Sequence, residues 1–262
     1  MHGNHTKQIV LLITVAVIAL LLPSCRTNSP AANEIIVSAA ASLKDAFNEI
    51  AAVGKQQTGV TVRFNLGASG ALQRQIESGV PADVFASAGA KQMDELSAKG
   101  MIVATTRKDF ARNTLVLIVP EDSLAVASFA DLARPEIKRV AVGNPRTVPA
   151  GQYTVQTLTA LRLLPQVQSK FVFAEDVRQV LDYVARSEVD AGIVYTSDVR
   201  SAGAKVRVAA QAPDDTHEPI SYPIALIKDT RQPAAAQKFI DLVLSAEGQK
   251  ILAKYGFVPI QK

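Results

Sequence analysis

Short strand-like runs alternate along the chain with segments in which apolar residues recur every three or four positions. The strand-like runs lie at residues 35–37, 60–64, 84–86, 115–119, 140–142, 191–195, 206–210 and 224–227. The recurring segments lie at residues 43–51, 72–76, 155–161, 177–184 and 239–252. Recurrence at three or four positions is typical of helices that pack on one face. The alternation predicts an α/β fold with mostly parallel sheets flanked by helices.

The pattern also indicates two similar halves, because the alternation changes near Asn113 and again near Ser221. The chain is predicted to leave the first half, build the second and return to the first. We therefore expect a two-lobed molecule, in which residues 34–113 and 222–262 form lobe 1 and residues 114–221 form lobe 2. Two lobes joined in this way can close on a ligand by a hinge movement.

The N-terminal segment has the pattern of a secretory signal. Residues 9–22 are apolar except for Thr14, and this run is shorter than the ~20 residues of a membrane span. A polar start followed by such a run predicts a signal peptide at residues 1–24. The sequence Leu-Pro-Ser-Cys ends at Cys25. It resembles a bacterial lipobox, in which cleavage leaves the cysteine first and a lipid is attached to it.

The lipobox-like sequence predicts where the mature protein lies. We expect it in the periplasm or cell envelope, anchored to a membrane by a lipid on Cys25, with residues 25–33 as a tether. A signal that is simply cleaved, with Cys25 incidental, is the alternative. No other apolar run approaches the length of a span, so the rest of the chain is expected to be soluble.

Composition and charge exclude several classes of protein. With 48% hydrophobic residues and a net charge of +4 the chain is not disordered, and its single cysteine excludes a disulfide scaffold. Basic residues occur at most in pairs, so nucleic-acid binding is not expected. His217 is the only histidine after residue 24, and with Cys25 it cannot complete a common zinc site. No cofactor is expected, and without a P-loop any ATP hydrolysis belongs to a partner.

Several turns between a predicted strand and a predicted helix have features of an anion site. They lie at residues 39–42, 67–71, 149–151 and 175–178. Helix N-termini carry free N–H groups and a partial positive charge, so they bind anions. In open α/β sheets they lie at the carboxyl edge, where ligands bind. Each turn could instead be an ordinary helix start, with Ser42 and Asp176 as caps and Arg178 as a surface or salt-bridge residue.

Tyr195 ends the strand-like run at 191–194 and could present its hydroxyl to the same edge, with core packing as the alternative. The turns and Tyr195 belong to a series of short motifs in a fixed order. The motifs are Ala-Ala-Ala-Ser-Leu at 39–43, Pro-Ala-Asp-Val-Phe at 81–85, Val-Gly-Asn-Pro at 142–145, Val-Pro-Ala-Gly at 148–151, Ala-Glu-Asp-Val-Arg at 174–178, Gly-Ile-Val-Tyr at 192–195 and Lys-Tyr-Gly-Phe at 254–257. Across about residues 34–257, the chain resembles the bacterial molybdate-binding periplasmic protein family, the substrate receptors of molybdate ABC importers.

The resemblance implies the two-lobed type II periplasmic binding protein fold, with molybdate in the cleft between the lobes. It implies that the anion is held by hydrogen-bond donors without a cation. The implied ligand residues are Ser42 and Ser69 through their hydroxyls, Ala150 and Val177 through backbone N–H groups, and Tyr195 through its hydroxyl. Molybdenum enters only as the bound oxyanion, with no direct bond to the protein. The implied partners are an ABC permease and its ATPase, and the receptor is expected to be a monomer.

A site of this kind contains donors only. Each serine could donate through its N–H as well as its hydroxyl, so with Ala150, Val177 and Tyr195 about seven donors would face a tetrahedral dianion, whose oxygens accept hydrogen bonds. Phosphate at neutral pH carries a proton that would find no acceptor, whereas sulfate has no such proton and must be rejected by size. Tungstate is nearly as large as molybdate and is expected to bind as well. The second turn departs from the family, because Gly67 and Gly70 flank Ala68 and Ser69 in place of a serine-rich run.

Three other functions remain open from the sequence. The same receptor could take sulfate or another tetrahedral oxyanion, which the volume of the pocket would decide. A secreted serine hydrolase would use Ser69, in a Gly-x-Ser-x-Ala turn close to a nucleophile elbow, with His217 as the base. A structural lipoprotein would show no stabilisation by any ligand. The leading expectation is the molybdate receptor, which is not an enzyme.

Overall fold

The computed structural model describes residues 33–260, which belong to one compact unit. The strands are β1 Glu34–Ala40, β2 Thr61–Gly67, β3 Val84–Ala86, β4 Lys108–Arg112, β5 Leu115–Pro120, β6 Val140–Gly143, β7 Phe171–Ala174, β8 Ala191–Tyr195, β9 Val206–Gln211, β10 Ser221–Leu226 and β11 Val258–Pro259. The helices are α1 Lys44–Thr58, α2 Ser69–Glu77, α3 Ala90–Ala98, α4 Pro149–Ala160, α5 Leu164–Val167, α6 Val177–Ala185, α7 Thr196–Ala202, α8 Pro233–Leu244 and α9 Ala246–Lys254. None of these helices is long and apolar enough to cross a membrane. The predicted signal peptide, Cys25 and the tether up to residue 32 lie outside the described residues.

The strands form two separate sheets accompanied by helices, which confirms the predicted α/β class. The first sheet has the order β11-β4-β10-β3-β1-β2, and the second has the order β7-β6-β8-β5-β9. β1 pairs in parallel with β2 and β3, and β6 pairs in parallel with β7 and β8. The remaining pairs are antiparallel.

Both sheets are therefore mixed, and the expectation of mostly parallel sheets was wrong. The reason lies in the path of the chain. The chain passes from the first sheet to the second after β4 and returns to the first sheet in β10. These two strands are neighbours, and they pair antiparallel because the chain leaves through one and re-enters through the other. Parallel pairing is confined to strands joined by helical crossovers, which are what parallel neighbours require.

The two sheets divide the strands between Arg112 and Leu115 and again between Gln211 and Ser221. Lobe 1 is the first sheet with its helices, and lobe 2 is the second sheet with its helices. The exact predicted limits of the lobes, at residues 113/114 and 221/222, stay a prediction.

An aromatic core in lobe 1 holds α1 against β2, β4 and α8. Phe47 of α1 packs against Phe64, Phe110 and Phe239, with ring centroids 5.5 to 6.1 Å apart. Burial of such a side chain contributes about 1.5–3 kcal/mol. The cluster therefore anchors α1, which the short 3₁₀ turn Ala41–Leu43 joins to β1.

Six elements were not predicted from the sequence, namely α3, α5, α7, β4, β7 and β11. The buried apolar residues of α3 are Met93 and Leu96 alone, too few to show a helical period. β4 carries charged residues at three of its five positions, which hides its strand character. The C-terminal helical segment is also two helices rather than one. Ser245 separates them, and its hydroxyl caps α9 by accepting from the N–H of Gly248 at 3.1 Å.

Candidate functional site

Turns at the carboxyl ends of strands from both lobes meet at one small cavity. The 3₁₀ turn after β1 carries Ser42, and the start of α2 carries Ser69. The starts of α4 and α6 carry Ala150 and Val177, and Tyr195 ends β8. All five residues line the cavity and all are buried. The structure thus brings together the residues that the family resemblance implies.

The cavity is small, with about 200 Å³ of free space when its open mouth is included. It therefore suits a small ion better than an organic solute. Small residues on its wall let the backbone approach such an ion. They are Ala40, Ala41, Gly67, Ala68 and Ala88. A broader cleft of about 1080 Å³ is lined by Lys44 and Lys205 together with Asp45 and Asp182, so it mixes charges of both signs.

Two helix N-termini contribute backbone donors to the cavity. α4 begins with Pro149, which has no N–H, so Ala150 supplies the first donor of that helix. At α6, Asp176 acts as the cap and accepts from the two N–H groups that follow Val177, at 2.8 and 3.0 Å. This cap does not engage the N–H of Val177. That group is therefore left for a ligand, at the positive end of the helix dipole.

The two serine hydroxyls have different protein partners. Ser69 Oγ accepts a hydrogen bond from the N–H of Ala88 at 2.9 Å. Ser42 Oγ lies 3.1 Å from the hydroxyl oxygen of Tyr222, which comes from β10. Both serines are almost completely buried, so bulk water does not compete for their hydroxyls.

The hydroxyl of Tyr195 joins the two lobes at the cavity. It donates to the carbonyl oxygen of Ala88 at 3.3 Å, and Ala88 belongs to lobe 1 whereas Tyr195 belongs to lobe 2. Burial, followed by the nearby Tyr222 hydroxyl, raises the pKa of Tyr195 well above its usual value. The group therefore remains a hydrogen-bond donor at physiological pH.

Arg178 lies beside the cavity, but protein carboxylates engage its charge. Its Nη2 atom is 2.9 Å from Asp45 Oδ2, and its Nε atom is 2.9 Å from Asp198 Oδ1. Nη2 also donates to the carbonyl oxygen of Ser42 at 3.2 Å. The ion-pair interpretation of Arg178 is thus confirmed, although its side chain is largely buried. Because Asp45 and Ser42 belong to lobe 1, the guanidinium also connects the lobes.

His217 makes its polar contact away from Ser69. Its Nδ1 atom is 2.8 Å from the carbonyl oxygen of Glu218, and its ring packs 5.8 Å from that of Tyr153. Within residues 33–260 no hydrogen bond joins His217 to Ser69, as a nucleophile and its base require. Over the same range there is also no group of three or more His, Cys, Asp or Glu that could hold a metal ion.

Sequence reasoning missed Tyr222, Asn113 and Ala88. Ala88 contributes through its backbone, so no side-chain pattern marks it. The hydroxyl of Tyr222 meets Ser42 from 180 residues away and Asn113 from 109 residues away. Contacts over such separations leave no periodic pattern in the sequence. The local signal that marks Tyr222 is a Ser-Tyr-Pro sequence directly before the strand-like run at 224–227.

Comparisons with known proteins extend over nearly the whole chain. Residues 35–258 match the family model described as bacterial extracellular solute-binding protein. The chain is 38% identical over 258 residues to YvgL of Bacillus subtilis, named as a candidate ABC transporter substrate-binding lipoprotein, with 96% of this chain and 98% of YvgL covered. It is 37% identical over 246 residues to the molybdate-binding protein ModA of Haemophilus influenzae, with 91% and 95% covered.

A solved structure has the same fold. The periplasmic molybdate-binding protein of Azotobacter vinelandii superposes with a TM-score of 0.79 at 27% sequence identity. The match covers 87% of this chain and 100% of that one, so it includes both lobes. By sequence and by fold, the chain belongs to the bacterial extracellular solute-binding protein family.

Proposed function

We propose that this protein is the substrate receptor of an ABC importer and that it binds molybdate, with tungstate as a second ligand of nearly equal size. The observation that carries the proposal is the cavity of about 200 Å³ in which Ser42, Ser69, Ala150, Val177 and Tyr195 meet. Relatives that are 37 to 38% identical and named molybdate-binding proteins support the choice of ligand. The anion is the cargo of a solute-binding protein, neither a cofactor nor a substrate for conversion.

The kinds of polar group in the cavity support a fully deprotonated oxyanion. Two serine hydroxyls and helix N–H groups are free to donate, and a tetrahedral dianion only accepts. The Tyr195 hydroxyl has one proton, which it would turn from the Ala88 carbonyl oxygen to the anion. Asp176 is the carboxylate on the wall, and its Oδ1 atom is engaged in capping α6. A protonated anion such as hydrogen phosphate needs an acceptor and is therefore disfavoured. Sulfate is disfavoured because it is smaller than molybdate.

The donors are strong enough for tight binding. About seven charge-assisted hydrogen bonds, at ~1.5–3 kcal/mol each, give a gross term of roughly 10–20 kcal/mol. Desolvation of the polar groups and closure of the lobes oppose this term. A net free energy of about −8 to −12 kcal/mol corresponds to a Kd between about 1 μM and 1 nM.

The receptor is inferred to work at the outer side of a membrane as part of an importer. It would deliver its anion to a permease whose ATPase supplies the energy, since the chain has no P-loop of its own. The lipobox-like sequence before Cys25 and the lipoprotein name of YvgL support a lipid anchor in the periplasm or cell envelope. Hinge closure of a monomer would present both lobes to the permease.

Calorimetric titration of the chain without its predicted signal peptide tests the proposal. We expect tight binding of molybdate and tungstate, and weak or no binding of sulfate and phosphate. Tight binding of sulfate would instead assign the protein to sulfate transport. Sulfate can accept from the same donors as molybdate, and only its smaller size distinguishes it. Binding of none of these anions would contradict the receptor assignment.

A single variant separates the receptor from the hydrolase alternative. His217→Ala is expected to leave the affinity for molybdate unchanged, because His217 does not line the cavity. A hydrolase would lose its activity on ester substrates with the same change. Thermal unfolding with and without molybdate addresses the structural alternative, since a purely structural lipoprotein would not be stabilised by the anion.

A further inference from the structure

Two buried polar residues lie behind the cavity rather than on its wall. Tyr222 comes from β10, and Asn113 comes from the connection between β4 and β5. Neither lines the cavity, and both are buried. Their polar atoms form a chain of hydrogen bonds that ends at Ser42.

The orientation of the Asn113 amide is fixed by a backbone group. The N–H of Thr114 can only donate, and it lies 2.9 Å from Asn113 Oδ1, which identifies this atom as the amide oxygen. The Nδ2 atom faces the opposite side. Its two hydrogens are donated to Ser197 Oγ at 2.8 Å and to Tyr222 Oη at 3.3 Å.

Tyr222 therefore receives one hydrogen bond and must place its own proton on another acceptor. Among the described residues, Ser42 Oγ at 3.1 Å is the acceptor within hydrogen-bonding distance. A buried hydroxyl proton without an acceptor is unfavourable, so Tyr222 donates and Ser42 Oγ accepts. Burial raises the pKa of Tyr222 well above its usual value, and the proton is retained.

Ser69 is held in the same way by a different donor. The N–H of Ala88 can only donate, and it reaches Ser69 Oγ at 2.9 Å. Each serine oxygen is thus occupied by a donor from the protein, and each serine proton is left for another acceptor. Both serines line the cavity, so the cavity is where that acceptor lies when an anion is bound.

We propose that Asn113 and Tyr222 are positioning residues that fix the direction of the Ser42 hydroxyl, so that its proton is donated to the bound oxyanion. The inference rests on the proposed function and deepens it. It assigns part of the selectivity to residues outside the cavity. A Ser42 oxygen that already accepts from Tyr222 is a poor acceptor for the proton of hydrogen phosphate, so the pair favours fully deprotonated anions.

A double-mutant cycle tests whether Tyr222 acts through Ser42. Tyr222→Phe keeps the ring and its edge contacts with neighbouring aromatic rings and removes only the hydroxyl. We expect it to weaken molybdate binding about three- to tenfold when Ser42 is present. In the Ser42→Ala background we expect it to have no further effect. A residue that merely supports the fold would weaken binding by the same factor in both backgrounds.

Tyr255→Phe is the matched control, because it removes a tyrosine hydroxyl that bonds Glu49 at 2.7 Å outside the cavity, and its affinity is expected to be unchanged. The cycle uses the anion that the wild-type chain binds most tightly. Equal losses of affinity in both backgrounds, or no loss from Tyr222→Phe, would overturn this inference but leave the proposed function standing. So would a loss that depends on Tyr195, the other hydroxyl close to Tyr222. A wild-type chain that binds none of the oxyanions would overturn the proposed function and the inference with it.

Discussion

At the scale of single residues, the protein orients the donors of the cavity and leaves several of them free for a ligand. The oxygen of Ser69 accepts from the Ala88 N–H, while its proton is free. The cap residue Asp176 binds the N–H groups after Val177 and leaves that of Val177 itself. Such groups are already oriented before an anion arrives, so little conformational entropy is lost when it binds.

Removal of either serine hydroxyl is expected to weaken molybdate binding. Ser42→Ala or Ser69→Ala deletes one donor to a buried charge, which costs about 1–3 kcal/mol, or roughly 5- to 150-fold in Kd. Titration calorimetry of each variant measures the loss. Ser128→Ala serves as the control, because that hydroxyl bonds Asp131 outside the cavity. If both cavity variants bound molybdate like the wild type, these turns would not form the site.

Asp198 is expected to make the stability of the protein depend on pH. Burial raises the pKa of its carboxyl from 3.8 to about 6, against the opposing charge of Arg178. The folded state then holds this proton more tightly than the unfolded state. The contribution of Asp198 to the free energy of unfolding therefore falls as the pH rises from about 4 to about 6. The fall is at most about 3 kcal/mol.

Asp198→Asn removes this titration while keeping an oxygen that can accept from the backbone N–H of Tyr195, the bond seen at 3.1 Å. Denaturant unfolding across that pH range should show a smaller decline in the free energy of unfolding for the variant than for the wild type. Other carboxyls contribute to both curves, so the difference between the curves isolates Asp198. Parallel curves would show that Asp198 is ionised throughout the range.

At the scale of elements, the site depends on where helices begin, and this is the part of the fold that the sequence could predict. Small residues, a proline and an acidic cap mark the starts of α2, α4 and α6, because these signals are local. α3 has too few buried apolar residues to show a period, and β4 is dominated by charges. The position of β10 between β3 and β4 depends on the path of the whole chain, so no local pattern encodes it.

The first turn of α2 also contacts lobe 2, and this contact predicts a role for Gly70. Its N–H donates to the carbonyl oxygen of Thr147 at 2.9 Å, and a Cβ at Gly70 would lie 2.8 Å from that oxygen. Gly70→Ala is therefore expected to hold the lobes apart and to weaken anion binding by about tenfold, near 1.4 kcal/mol. Stability without ligand should not fall, because alanine favours a helix by about 0.5–1 kcal/mol.

Titration calorimetry and denaturant unfolding distinguish these two effects of Gly70→Ala. Gly54→Ala is the control, because it makes the same change inside α1, where a Cβ would meet only the end of the Leu242 side chain. Its affinity should match that of the wild type. An unchanged affinity of Gly70→Ala would mean that α2 and the Thr147 loop do not meet in the bound state.

At the scale of the whole molecule, Asp45 of α1 gathers contacts from lobe 2. Its Oδ2 atom lies 2.9 Å from Arg178 Nη2 and accepts from the hydroxyl of Ser201 at 2.6 Å. Both partners belong to lobe 2, so an opening of the lobes would break these contacts. We therefore expect them to favour the arrangement seen here and to slow the release of a bound anion.

Asp45→Asn is expected to raise the dissociation rate of molybdate about two- to tenfold, in line with the loss of a partly exposed ion pair and a hydrogen bond. Stopped-flow displacement by excess tungstate measures the rate, and high salt should reduce the difference. Glu49→Gln is the control, because Glu49 lies on the same helix but binds Lys254 and Tyr255 of lobe 1. Equal rates for Asp45→Asn and the wild type would show that other contacts hold the lobes together.

Strand β10 lies between β3 and β4 in the first sheet, yet the whole of lobe 2 precedes it in the chain. During synthesis, lobe 2 is therefore complete while the first sheet still has a gap at its centre. Until Ser221–Leu226 has been made, β3 and β4 keep unpaired edges, through which unfinished chains can aggregate. A nascent chain that stops before Ser221 contains all five predicted ligand residues but not the strand that joins β3 to β4 in lobe 1. The ability to bind an anion thus arises late in translation, after the last binding residue has already been synthesised.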